Sequence, residues 1–172
     1  YMFDNQTEKF IDVLGSVAET MITNNYADHI YTLSKGISWI TFQNECAAIR
    51  IDDQLCKQGK GITLYSSFKQ NLKGDKMYTV FEDSEGDEWI LTNKGISIIG
   101  KKQVDSDFPF QYIKEADGII YLVSQSDKLA SYNFKTRQFK FIEIPYHVSM
   151  INEVKKFDSN TLLLATDNGL II

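Results

Sequence analysis

One short frame recurs along this chain, and it limits the fold more than any other feature. Gly36-Ile37-Ser38-Trp39-Ile40-Thr41 returns as Gly86-Asp87-Glu88-Trp89-Ile90-Leu91-Thr92. Asp117-Gly118-Ile119-Ile120-Tyr121-Leu122-Val123-Ser124 keeps the frame with Tyr at the aromatic place, and Asn160-Thr161-Leu162-Leu163-Leu164-Ala165-Thr166 keeps it with Leu. The key residues Trp39, Trp89, Tyr121 and Leu163 stand 50, 32 and 42 residues apart. Self-similarity at roughly 20–50 residues marks solenoids, propellers and arrays, in which each unit buries its apolar face on the next. Other parts repeat in phase. His29-Ile30-Tyr31-Thr32-Leu33 matches Lys76-Met77-Tyr78-Thr79-Val80, and more loosely His147-Val148-Ser149-Met150-Ile151. Thr92-Asn93-Lys94-Gly95-Ile96 matches Thr166-Asp167-Asn168-Gly169-Leu170, and residues 3–10 match 132–139, both closing on Thr-x-x-Phe.

Helical periodicity is nearly absent. Runs rich in Val, Ile, Tyr, Phe and Thr alternate with Gly, Asn, Asp and Ser, the mark of many short strands. Residues 13–21, with Leu14, Val17, Ala18 and Met21, read as a loop of helical character. Each unit carries four strands, of the types 30–33, 39–42, 96–99 and 139–142. Such a unit is a propeller blade. The expected fold is all-β: a β-propeller or propeller segment of about four blades of four antiparallel strands. Expected units are approximately 25–70, 75–105, 110–145, and 147–172 completed by 1–13. The second strand is apolar at successive positions, as a sheet covered on both faces requires. Gly95 and Gly169 suit tight turns needing positive φ. Residues 169–172 open a third strand and Tyr1-Met2-Phe3 ends one, so the ends are out of phase with the unit. Either they meet in a four-bladed ring or the chain is a segment of a longer propeller, the favoured expectation. Tyr1 at the start, with no secretory-type segment behind it, reads as a mature product or an excised piece.

Apolar residues make up 43% and charged residues 24% of the chain, too much hydrophobe for a disordered segment. The net charge is −5 and no Lys/Arg block is present, so neither nucleic acid nor direct contact with an anionic membrane is expected. No apolar run approaches the roughly 18–20 residues of a membrane span. Cys46 and Cys56 are too few for a disulfide scaffold. Two separate half-buried thiols or one disulfide both fit, the first being favoured.

Residues 81–96, Phe-Glu-Asp-Ser-Glu-Gly-Asp-Glu-Trp-Ile-Leu-Thr-Asn-Lys-Gly-Ile, resemble the two-component regulator propeller repeat. Residues 164–170 resemble its second half, and Phe3-Asp4 with Thr7-x-x-Phe10 its tail. The resemblance implies the periplasmic sensor region of a hybrid two-component receptor of the inner membrane. It implies detection of complex-carbohydrate breakdown products, and a histidine kinase only in other parts of the polypeptide. The implied partners are an oligosaccharide, neighbouring blades or domains of the same receptor, and a second copy in a homodimer. The rival expectation is a scaffold propeller that holds another protein and no small ligand.

Alternating strands bring the approach to the first strand and the turn after the second strand to one rim. His29, Asn93, Lys94, Tyr146, His147 and Asp167 are the candidate ligand-binding residues there, with Asp127 and Asn168 beside them. Aromatic rings with amide and carboxylate groups could stack on and hydrogen-bond a sugar. The plain alternative for each is an ordinary polar loop residue. Glu82-Asp83 and Asp87-Glu88, flanking the first turn of their unit, read as solvated acids. Glycoside hydrolysis needs two carboxylates at about 5–10 Å across a cleft, and the spacing selects no pair. No zinc, calcium-loop, nucleophile or phosphate-loop pattern is present, so no catalytic residue, metal or cofactor is expected.

Overall fold

The computed structural model describes residues 2–4, 6–11, 26–42, 47–56, 60–66, 72–74, 76–102, 104, 106–124 and 126–172. The segment 13–21 and Cys46 lie outside these. The chain divides into two compact units, Tyr1–Leu72 and Lys73–Ile172.

In the first unit, β1 (Met2–Asp4) pairs antiparallel with β2 (Lys9–Ile11). Strands β3 (Ala27–Thr32), β4 (Ile37–Phe42), β5 (Ala47–Asp52) and β6 (Ile62–Ser66) form a four-stranded sheet in chain order. Trp39 on β4 is fully buried, its ring 4.8 Å from that of Tyr65 on β6. A single helical turn, α1 (Asp53–Cys56), follows β5; Asp52 Oδ1 accepts the Gln54 and Leu55 N–H groups at 3.1 Å. Cys56 is a half-buried free thiol, raised above its ordinary pKa by burial and then by Asp53 and Asp52.

The second unit holds three sheets. The first of them contains β7 (Met77–Glu82), β8 (Glu88–Thr92) and β9 (Gly95–Ile99). The middle one contains β10 (Phe110–Ala116), β11 (Ile119–Ser124), β12 (Leu129–Asn133) and β13 (Gln138–Ile142). The last contains β14 (Ile151–Lys156), β15 (Leu162–Thr166) and β16 (Gly169–Ile171). In every sheet, chain neighbours pair antiparallel. The fold is all-β, built of propeller blades.

Strand register makes the repeat exact. The strands β3, β7, β10 and β14 each carry a bulge, at Asp28, Tyr78, Gln111 and Asn152. The residue before each bulge pairs with Phe42, Thr92, Ser124 or Thr166. Counting back three residues from those partners gives Trp39, Trp89, Tyr121 and Leu163. The four key positions are therefore equivalent. Two expectations shift under this alignment: Tyr31, which pairs with Trp39, is equivalent to Phe81, which pairs with Trp89, and not to Tyr78, and the first strand of the last unit is β14 at Ile151–Lys156, not residues 147–151. The loose match at His147 followed side-chain likeness, whereas the bulge sets the phase.

Alternation along β11 explains its unbroken apolar run. Ile120 and Leu122 pack with Trp89, Leu91 and Ile96 of the preceding sheet. Tyr121 and Val123 pack with Val154 and Leu164 of the following sheet. Each of these side chains contributes about 1.5–3 kcal/mol on burial. Equivalent polar ties join the same sheets. Glu115 accepts the Ser84 N–H at 2.7 Å, and Lys156, at the matching place on β14, sits 2.8 Å from Asp117.

In the second unit, the turns after the second strands share a hydroxyl clasp. Thr92 Oγ1 donates to the Gly95 carbonyl at 2.9 Å and accepts the Lys94 N–H at 3.2 Å. Thr166 repeats both bonds with Gly169 and Asn168 at the same distances. In the longer turn of the middle sheet, Ser124 Oγ accepts the Ser126 and Lys128 N–H groups. Gly95 has φ +130°, and a Cβ there would lie 2.1 Å from the Ser106 carbonyl oxygen. Thr92→Val keeps the shape but removes the clasp, so it is expected to cost about 1–2 kcal/mol in urea unfolding. An unchanged midpoint would show the clasp to be dispensable.

Candidate functional site

In the second unit, antiparallel pairing places the turn after the second strand against the approach to the first strand. Side chains then join the two. Asn93 accepts the Lys76 N–H through Oδ1 at 3.1 Å while its own N–H donates to the Lys76 carbonyl at 2.9 Å. Asp167, the equivalent residue, accepts the Ser149 and Met150 N–H groups at 3.2 Å, and Asn168 Nδ2 donates to the His147 carbonyl at 3.0 Å. Partial burial pushes the Asp167 carboxyl up, but the Met150 and Ser149 donors outweigh it and hold it below the usual carboxylate range. Asn93 and Asp167 thus brace the rim.

Of the six sequence candidates, His29 belongs to the first unit and the other five to the second. His29 lies inside β3 of the first unit, 3.2 Å from Asp28 and stacked on Tyr31 at 5.9 Å. His147 lies four residues before β14, so the two histidines hold different places in their repeats. Lys94 is exposed and contributes its N–H to the Thr92 clasp. Tyr146 and His147 share a cleft. They line an open cleft of about 500 Å³ with Phe108, Asp127, Phe141 and Glu143. Tyr146 and Phe141 are 62% and 51% exposed, leaving ring surface free for stacking. Phe108 fixes Phe141 edge-on at 5.6 Å. Asp127 lies 3.2 Å from Lys128, whose hydrogen bond lowers the carboxyl pKa. Phe108, Phe141 and Glu143 escaped the sequence reading. Phe139-Lys140-Phe141 looks like an ordinary strand, and nothing local marks Phe141 as the ring opposite small Ala130.

The opposite rim corrects another expectation. Asp83 and Asp87 are buried, not solvated. Lys102 Nζ reaches Asp83 at 2.9 Å, Glu85 at 2.6 Å and Asp87 at 3.3 Å, and lies 4.2 Å over the Phe134 ring. Asp83 also accepts the Trp89 indole N–H at 2.7 Å and the Glu85 and Asp87 backbone N–H groups. Burial pushes the Lys102 ammonium down, but Glu85, Asp83 and Asp87 together hold it above the ordinary lysine value. Burial likewise pushes Asp87 up, and the Lys101 and Lys102 N–H groups more than reverse it. Among the described residues, no group of three His, Cys, Asp or Glu side chains is placed to hold a metal ion.

Sheets of this kind, bulged at one place and, in the second unit, packed face to face, define a propeller-type protein. No protein-family model matches the chain, and no curated protein does. Solved structures share its fold. The extracellular domain of the hybrid two-component system BT4673 of B. thetaiotaomicron superposes with TM-score 0.60 at 20% identity, covering 84% of this chain and 22% of that one. The corresponding domain of BT3049 from the same organism superposes with TM-score 0.57 at 20% identity, covering 99% and 22%. Virginiamycin B lyase of Staphylococcus aureus superposes with TM-score 0.50 at 18% identity, covering 87% and 55%. The chain spans about a fifth of the length of these two extracellular domains. Their fold matches what the repeat at residues 81–96 implies. No helix of the described residues is long and apolar enough to cross a membrane.

Proposed function

We propose that this chain is a non-catalytic part of the extracytoplasmic, periplasmic sensing region of a hybrid two-component receptor, and that its rim cleft takes an oligosaccharide. The observation that carries the reading is the fold shared with two such extracellular domains, joined to the repeat at residues 81–96. The cleft supports the ligand class: free Tyr146 and Phe141 rings give stacking surfaces, and Asp127, Glu143 and His147 offer hydrogen-bonding edges. It is built from the middle sheet of the second unit and the connection to β14. A sugar seated there touches both, and favours whichever arrangement of them it binds more tightly. Changed packing among neighbouring blades, or in a homodimer, is the output.

A thermal-shift panel of neutral oligosaccharides tests this. At least one is expected to raise the melting temperature, and Tyr146→Ala is expected to weaken its binding about tenfold in calorimetry. A flat panel would favour the scaffold reading, and release of product from any glycan would make the chain an enzyme.

A further inference from the structure

A second cleft, on the rim opposite the one above, is the larger, at about 800 Å³. Glu85, Lys101, Lys102, Tyr132, Phe134 and Arg137 line it. Three of these six are cations and one is an anion, an unusual lining in a chain of net charge −5. The ion pairs divide the cations into two kinds. Lys102 is engaged: its ammonium sits among Asp83, Glu85 and Asp87. Glu85, the lining carboxylate, is paired with the same ammonium at 2.6 Å. Lys101 and Arg137 are different. Both are exposed, and neither side chain has an ion pair among the described residues. The nearby Asp87 carboxylate is occupied by the Lys101 and Lys102 backbone N–H groups and by Lys102 Nζ. Two aromatic rings line the same cleft. Tyr132 is buried, and Phe134 is half-buried and pinned by Lys102 at 4.2 Å.

The two cations come from different sheets. Lys101 follows β9, whereas Arg137 lies in the turn between β12 and β13, its backbone bent by the N–H bond to Asn133 at 2.8 Å. We propose that this cleft is an anion-selective saccharide site, taking a ring sugar that bears a carboxylate or sulfate group. The anionic group bonds the Arg137 fork and the Lys101 ammonium, and the apolar face of the ring rests on Phe134. A guanidinium offers two parallel donors to either group, while a lysine adds a mobile point charge. The bound anion bridges the first and middle sheets of the unit where Lys102 and the Ser84–Glu115 contact already join them. The site is separate from the rim cleft and stands even if that cleft binds nothing.

Calorimetry with trigalacturonate, a sulfated galactose disaccharide and fully methyl-esterified trigalacturonate tests the proposal and distinguishes the two anions. At least one charged probe is expected to bind, and the ester, which keeps the rings and loses the charge, is not. Arg137→Gln and Lys101→Gln should each weaken binding about tenfold or more, and raising the salt should weaken it in the parent chain. Tyr146→Ala should leave it unchanged. Two results would overturn the proposal: no binding by either charged probe, or equal binding by the ester or by the Arg137→Gln/Lys101→Gln double variant. Loss of binding in Tyr146→Ala would move the ligand to the other rim, which would also end this proposal while leaving the sensing reading intact.

Discussion

Lys102→Met is expected to destabilise the second unit by about 3–5 kcal/mol at neutral pH, the range for breaking a buried ion cluster by removing one partner. The side chains of Asp83 and Asp87 are 0% and 5% exposed, so water cannot replace the lost ammonium. Each keeps backbone donors, which places the effect toward the lower end. The pH dependence is distinctive. Asp87 is held below the usual carboxylate pKa. Its stabilisation is therefore complete above the unfolded value near 4 and is lost as pH falls through the folded one. Lys102, held above the usual lysine value, stabilises fully below about pH 10 and loses that contribution only as pH rises through its folded value. Urea unfolding should show the gap between parent and variant widest near pH 7 and narrower below pH 4. A gap that is constant across this range would mean that lost packing, not charge, is responsible.

Trp89→Ala should cost about 3–5 kcal/mol, as removal of a fully buried large aromatic does. Trp89 packs on Tyr132 at 5.6 Å, and its indole N–H satisfies Asp83. Trp89→Phe separates these two roles: it keeps most of the packing and should cost about 1–2 kcal/mol through the lost hydrogen bond. Leu163 occupies the equivalent post but is only half-buried. Leu163→Ala should therefore cost distinctly less than Trp89→Ala, although both positions hold the same place in the repeat. Denaturation midpoints for the three variants would decide it. Equal losses at Trp89 and Leu163 would mean that cover by a following sheet is not what makes the post matter.

The posts can be read without coordinates because packing between sheets favours a bulky apolar or aromatic residue at each, and the Thr-x-x-Gly clasp because its bonds span only three residues. The bulges cannot. Asp28, Tyr78, Gln111 and Asn152 share no chemistry, since a bulge is made by backbone pairing and tolerates any of them. Lys102 is equally silent. It stands 15 residues beyond Asp87 and meets it only because the loop after β9 folds back across the first turn of its sheet. The acids therefore look like ordinary turn residues. Among the candidates, Tyr146 and His147 share a cleft because they are adjacent in sequence, whereas Asn93 and Asp167 recur because they hold the loops.

A strand such as β11 is greasy on both sides, and this removes a safeguard. In a half-wet sheet, sliding by one residue turns the oily set toward solvent and is punished at once. Here a slip would merely exchange Ile120 and Leu122 for Tyr121 and Val123, so oil would still meet oil. Alignment must be secured at the strand's end instead, by the Ser124 hydroxyl and by the extra residue opposite it on β10. Small polar groups at the rim thereby govern where every large side chain inside comes to rest.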